Sequence, residues 1–141
     1  MRLRYLTLCV VVLLACGAQA KVRARKTVRL NQNFVLRVGQ EVSVAGQNLN
    51  VKLVSVPEDS RCPKGVNCIW AGNARVMLQV SPAKGRPAKL ELNTNAREAA
   101  DGAGGGFGQY LFKLVEVAPY PVEGQTIGAS SYTVTLVVSK K

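Results

Sequence analysis

Ala74-Arg-Val-Met-Leu-Gln-Val-Ser81 decides the fold class. Ala74, Val76, Leu78 and Val80 hold one parity, and Arg75, Met77, Gln79 and Ser81 hold the other. Successive side chains of a strand point to opposite faces, so this alternation marks a strand with one face buried, whereas a helix repeats its apolar positions every three to four residues. Pro82-Ala-Lys-Gly-Arg-Pro87 then supplies a turn, and Lys89, Leu90, Glu91, Leu92 and Asn93 read as the return strand.

The same pattern extends outward in both directions. Upstream, Phe34, Leu36 and Val38 oppose Val35 and Arg37, Gly39-Gln40 turns, and Val42 and Val44 resume the alternation. Gly46-Gln47-Asn48 makes the next turn, after which Leu49, Val51 and Leu53 alternate with Asn50 and Lys52 in a run reaching Val56. Downstream, Tyr110 to Val117 is apolar on both parities apart from Lys113 and Glu116, the pattern of a central strand covered on both faces. Tyr132, Val134, Leu136 and Val138 form the last strand. About seven or eight strands and no helical stretch predict an all-β domain, an antiparallel β-sandwich of immunoglobulin-like architecture, with a small closed β-barrel as the alternative.

Two connections interrupt the pattern. Ala99 to Gly108 (AADGAGGGFG) is glycine-rich, but it lacks the GK[ST] ending of a phosphate cradle and leads into a strand, so it reads as a mobile hairpin loop. Pro119-Tyr120-Pro121 with Gly124 reads as a rigid turn that ends a strand, with Tyr120 capping the core edge.

The N-terminus carries an export signal. Arg2 and Arg4 precede an apolar stretch from Leu6 to Ala15, and Ala18-Gln19-Ala20 is a small-residue cleavage site. The apolar run is about half of the ~20 residues needed to span a membrane. Leu13-Leu14-Ala15-Cys16 resembles a bacterial lipobox, so lipidation at Cys16 competes with cleavage after Ala20, and either removes Cys9. The expected organisation is a signal peptide over 1–20, a basic arm or tether over 21–32, and one domain over 33–141. The product is exported to the periplasm or medium, or held to a bacterial membrane by lipid alone.

Loss of Arg2 and Arg4 lowers the formal charge from +11 to +9, an excess that favours anionic partners. The cations are spread along the chain except for Lys21, Arg23, Arg25, Lys26 and Arg29, which make the basic arm a candidate for envelope polyanions or a membrane surface. Aromatic residues are missing from that segment, which argues against specific nucleic-acid binding.

The mature chain keeps Cys62 and Cys68, six positions apart, and in an exported protein this pair reads as one disulfide. Closing so short a loop stabilises by about 2 kcal/mol on the loop-entropy model, which helps the domain without being what folds it. The chain contains no histidine and no second cysteine pair outside the signal, so no zinc site is expected.

Both cysteines lie in the most distinctive stretch, Glu58-Asp-Ser-Arg-Cys-Pro-Lys-Gly-Val-Asn-Cys-Ile-Trp-Ala-Gly-Asn73, which also holds the one tryptophan. Glu58 and Asp59 are neighbours and would point to opposite faces of a strand, so they do not make a general acid/base pair. Ser60 has no histidine to serve as its base, and the chain's eight acids are too scattered for a calcium cage around Glu58, Asp59 and Asn67. No catalytic residue, metal or cofactor is expected. Glu58, Asp59, Arg61 and Trp70 form the candidate recognition loop, with Glu58 or Asp59 available to pair with Arg61 and Trp70 able to lie over the disulfide or plug the sandwich end.

This stretch, followed by the Pro119-Tyr-Pro-Val-Glu-Gly124 turn and the alternating strand after Tyr132, resembles a family of small bacterial secreted proteins and lipoproteins. The resemblance runs from Phe34 to the last strand and is carried by Asp59, Ser60, Arg61, Cys62, Pro63, Cys68, Trp70, Ala71 and Gly72. It implies export and a β-sandwich. The family's activity is uncharacterised, so no catalytic or binding residue carries over.

The leading expectation is therefore a monomeric, non-enzymatic binding or structural protein of the cell envelope, its partner a protein or a polyanion. A protease-inhibitor-like module presenting the 58–73 loop is one alternative, and it requires Arg61 and Trp70 to be exposed together. Binding of polyanions or membrane surfaces through the basic arm is the other.

Overall fold

The structure, a computed structural model, describes residues 25–95 and 104–141. The signal segment, Cys16, Lys21, Arg23 and residues 96–103, which include the first part of the glycine-rich stretch, lie outside the described residues. The alternating segments form nine strands: β1 (Lys26–Val28), β2 (Phe34–Arg37), β3 (Glu41–Val44), β4 (Leu49–Asp59), β5 (Ala74–Pro82), β6 (Ala88–Asn93), β7 (Gly104–Phe107), β8 (Tyr110–Ala118) and β9 (Thr133–Lys140). A single 3₁₀ turn, Ala129–Ser131, precedes β9, and no α-helix occurs among the described residues.

The strands make two sheets, one ordered β1-β3-β4-β5-β6 and the other β2-β9-β8-β7. All pairings are antiparallel except β1 with β3. The sheets stay separate, so the architecture is a sandwich and not a closed barrel. It shares the two-layer arrangement of immunoglobulin domains, while consecutive strands β3 to β6 and β7 to β9 run as meanders. The inward parities meet in one core that includes Leu36, Val42, Val51, Leu53, Val76, Leu78, Val80, Leu92, Phe112 and Leu136, all nearly or fully buried. Burying each such side chain contributes about 1.5–3 kcal/mol, so the core outweighs the disulfide many times over.

Four sequence expectations are corrected. Among the described residues nine strands form instead of about seven or eight, because β1 and β7 arise in segments read as arm and loop. The basic segment is not a tether over its described part: β1 pairs with β3, Val28 is buried, and Ala45 N–H donates to Val28 O at 2.8 Å. The glycine-rich loop contributes β7, paired with β8 at the sheet edge. A Cβ at Gly105 would lie 2.8 Å from Leu90 Cδ1 and 3.0 Å from Leu92 Cδ2, so glycine is what lets this edge close against β6 of the other sheet.

The fourth correction concerns β8, which is not covered on both faces. Leu111 and Val115 are exposed, and a bulge between Leu114 and Glu116 changes the parity so that Val117 returns to the core. A similar irregularity in β4, between Leu53 and Ser55, puts Val56 rather than Ser55 inside.

Candidate functional site

The 58–73 stretch comprises the last two residues of β4 and the long connection from β4 to β5. Its base is closed by backbone bonds from Ser60 N–H to Asn73 O (2.7 Å) and from Cys62 N–H to Ala71 O (3.0 Å). Gly72 makes this closure possible: its φ is +71°, and a Cβ there would sit 1.8 Å from Ser60 O. The Ser60 hydroxyl donates to Asn73 O at 3.1 Å and accepts from Asn73 N–H at 3.2 Å, so it is consumed in holding the loop. The disulfide Cys62–Cys68 forms as expected, with its Cα atoms 5.9 Å apart.

Asn73 locks the loop to the neighbouring strand. It is buried, its Nδ2 donates to Asn93 Oδ1 at 2.8 Å, and its Oδ1 accepts from Thr94 Oγ1 at 3.2 Å and from Asn95 N–H at 3.0 Å. The amide thus uses donor and acceptor alike, as burial of a polar group requires. On the other side, Lys64 N–H donates to Pro121 O at 3.0 Å and Glu123 N–H to Lys64 O at 3.4 Å, which docks the loop on the Pro119–Gly124 turn.

Arg61 points inward. Only 8% exposed, it spans both sheets with a full set of partners. Nε and Nη2 donate to the two Asp59 carboxylate oxygens at 2.7 and 2.6 Å. Nη1 donates to Val117 O at 2.5 Å and Nη2 also to Pro119 O at 2.9 Å. Tyr120 closes the site from outside, with its ring centroid 4.9 Å from the guanidinium carbon. Tyr132 Oη donates to Asp59 Oδ2 at 3.1 Å. Burial of Asp59 opposes its ionisation, but the hydrogen bonds and charge of Arg61, with the Tyr132 hydroxyl, outweigh it and hold the carboxyl below its ordinary value. Burial, followed by the bond to the Asp59 carboxylate, pushes the Tyr132 phenol up.

Trp70 points the other way. It is 79% exposed and Ile69 is 93% exposed, so Trp70 does not plug the sandwich end. Val66, Tyr120 and Val122 are exposed in the same loop and the turn beneath it. Glu58 faces outward and pairs with Arg75 at 3.5 Å, each about half exposed.

The four candidate recognition residues therefore divide. Asp59 and Arg61 form the buried anchor, Glu58 a surface ion pair, and Trp70 the presented surface. The inhibitor-like arrangement, with Arg61 and Trp70 displayed together, is corrected: a guanidinium with four hydrogen bonds and an aromatic lid is not available to a partner. Among the described residues, no three acidic or cysteine side chains come together in a way that could hold a metal ion.

Sequence reasoning missed Ile69 as the most exposed member of the tip, and Asn73, Tyr120 and Tyr132 as its supports. The signal for Ile69 is its position: Cys68-Ile-Trp-Ala-Gly72 sets two large apolar residues side by side where no strand alternation can bury both. Compared with known proteins, the chain matches no family model, no curated protein and no solved structure.

Proposed function

We propose that this chain is an exported, non-enzymatic binding module of the bacterial envelope whose contact element is the Ile69–Trp70 tip. The observation that carries the reading is that two adjacent large apolar side chains, 93% and 79% exposed, project from a loop fixed at several points. Scattered surface apolar residues are ordinary, but an aromatic and an aliphatic side by side on an immobilised loop have the composition of a contact site. The disulfide, the Asn73 amide and the Arg61 anchor pre-pay the ordering of that loop, which lowers the entropy lost when it binds. A disulfide also suits an oxidising compartment and agrees with the signal-like N-terminus.

Support for a non-enzymatic role comes from the polar groups of the loop. Ser60, Asp59 and Arg61 are all engaged in holding it together, and the chain has no histidine to serve as a general base. The test replaces residue 69 with a benzophenone-bearing amino acid in a bacterial host that exports the chain. Irradiation is expected to give adducts at position 69 and none at the exposed control position Lys89 on β6. Equal or absent labelling at both positions would refute the reading.

A further inference from the structure

We propose that the open flank of the sandwich, between the edge strands β1 and β2, binds a linear anionic polysaccharide through Lys26 and Arg37. This site is separate from the Ile69–Trp70 tip and goes beyond the reading of that tip as the contact element. The two flanks of the sandwich differ. Sheet order puts β6 and β7 on one flank and β1 and β2 on the other. The first flank is shut, because Gly105 on β7 lies against Leu90 and Leu92 of β6.

The second flank is open. A groove of about 940 Å³ runs there, lined by Arg25 and Lys26 on one side, Val35 and Arg37 on the other, and Gln40 and Glu41 where the chain enters β3. Lys26 pairs with the fully buried Val42 and so shares its inward parity, yet it stays exposed at the first position of β1. Arg25 is paired with Glu41 at 3.3 Å, whereas Lys26 and Arg37 have no ion pair among the described residues. Three cations therefore face one acid across the groove. The neighbouring strands do not reverse this balance: Lys52 stands opposite Glu41 on β4, and the row from Val35 reaches an acid, Glu116, only beyond β9. Cations gathered in a cleft focus their field on an anion more than the same charges spread over a surface.

The backbone argues against an added peptide strand as the occupant. Val38 N–H donates to Tyr132 O, so on β2 it is Val35 and Arg37 that turn their amides away from β9. Arg37 N–H is already held by Gln40 Oε1 at 3.1 Å, and Arg37 O by Gln40 N–H at 2.9 Å. That leaves Val35 on this edge and Thr27 on the three-residue β1, too little for a ladder. No aromatic side chain lines the groove, so it lacks the stacking platform that single-stranded nucleic acid uses. What it offers is recognition by side chains. Lys26 and Arg37 suit regularly spaced acid groups, with the planar Arg37 matched to a carboxylate. The Gln40 amide suits hydroxyls, and Val35, 47% exposed, gives the ring faces of sugars an apolar wall. A linear polysaccharide with one acid group per sugar carries all three kinds of partner.

The test titrates the isotope-labelled chain, as purified from a bacterial host that exports it, with polygalacturonate oligomers, the simplest glycan bearing one carboxylate per sugar. Uncharged dextran, polyglutamate and single-stranded DNA are the comparison ligands. Polygalacturonate is expected to move the backbone amide resonances of Val35, Arg37, Gly39 and Gln40 and to leave those of Ile69 and Trp70 in place. Binding should weaken as salt rises, and dextran should move none of these signals. Lys26→Gln and Arg37→Gln should each weaken binding about fivefold. Lys84→Gln with Arg86→Gln removes as much charge as the two changes together and should leave the shifts in place.

Absence of binding, or equal loss from the 84/86 and 26/37 double variants, would overturn the proposal. So would DNA or polyglutamate binding as tightly as polygalacturonate, since the groove would then answer to charge and not to a glycan. Unchanged binding with new self-association in the 26/37 double variant would overturn it by another route, showing that the two cations guard open sheet edges. None of these outcomes touches the tip, which the adducts at position 69 test by themselves.

Discussion

The Arg61 guanidinium lies in a two-point embrace with the Asp59 carboxylate, Nε to Oδ1 at 2.7 Å and Nη2 to Oδ2 at 2.6 Å, with both side chains less than 10% exposed. Residues two apart on an extended strand share a face, so the pair is set by the end of β4 itself. The guanidinium also reaches Val117 O on β8 of the opposite sheet and Pro119 O in the turn just after it, which makes one side chain a clasp between the two layers. Buried ion pairs are not inherently stabilising, but one whose donors and acceptors are satisfied is costly to break on one side only.

Arg61→Ala should therefore destabilise the domain by about 3–5 kcal/mol, because it leaves the Asp59 carboxylate buried without its partner. Asp59→Leu combined with Arg61→Met should cost less than the sum of the two single changes. Urea unfolding of the parent, Arg61→Ala, the two single changes and the double variant measures both, and strict additivity would show that the pair does not act as a unit.

The same clasp sets the pH limits of stability. Asp59 has its folded value lowered, so its contribution is present above the ordinary aspartate value of about 3.9 and is lost as pH falls through the lowered one. Tyr132 has its folded value raised, so its contribution holds below about 10 and is lost as pH rises through the raised value. Urea midpoints followed against pH should show both limbs. Asp59→Asn should flatten the acid limb, and Tyr132→Phe the alkaline one.

Gly72 gives a sharper test, since its φ of +71° coincides with a Cβ position 1.8 Å from Ser60 O. Gly72→Ala must push the loop's two arms apart, and a loss above about 4 kcal/mol, or failure to fold, is expected. Gly46 has a similar φ of +68° with nothing within 4 Å of its Cβ position. Gly46→Ala should then cost only the left-handed backbone term of about 1–2 kcal/mol. Similar costs for the two would mean that the close approach at Gly72 does not matter.

Much of this architecture is legible in the alternation. Leu49, Val51 and Leu53 announce β4 and its buried face, and Ala74 to Ser81 announce β5. Bulges are not legible, because one extra residue changes which side faces the core while leaving the composition apolar, as at Val54 and Val115. Gly104 to Phe107 hides a strand because glycine gives no alternation, although its lack of a side chain is what the edge at Leu90 and Leu92 requires. Within the site, Arg61 reads as a member of the recognition loop that Glu58 or Asp59 could pair, and its burial is not legible, since a buried guanidinium is rare unless paired. The Asp-Ser-Arg spacing at a strand end is the local sign of that pairing, but the carbonyls of Val117 and Pro119 come from a distant part of the chain and leave no local trace.

Ile69→Ser with Trp70→Ser should leave folding stability within about 0.5 kcal/mol of the parent, because side chains this exposed contribute little to the core. A loss of 2 kcal/mol or more in urea would mean that the tip packs against the domain and would remove its availability for contact.

The disulfide and the clasp should separate in their effects on that tip. Cys62→Ser with Cys68→Ser is expected to cost about 2 kcal/mol by releasing the short loop in the unfolded chain, with the sandwich retained because its core does not involve either sulfur. The loop keeps its base bonds at Ser60–Asn73 and Cys62–Ala71 and its docking on Pro121, so it stays attached while the 62–70 segment gains freedom. Fluorescence anisotropy of Trp70 should therefore fall in the serine variant while far-ultraviolet circular dichroism stays unchanged. Unchanged anisotropy would show that Arg61 and Asn73 alone hold the tip, and that the disulfide contributes to stability without contributing to presentation.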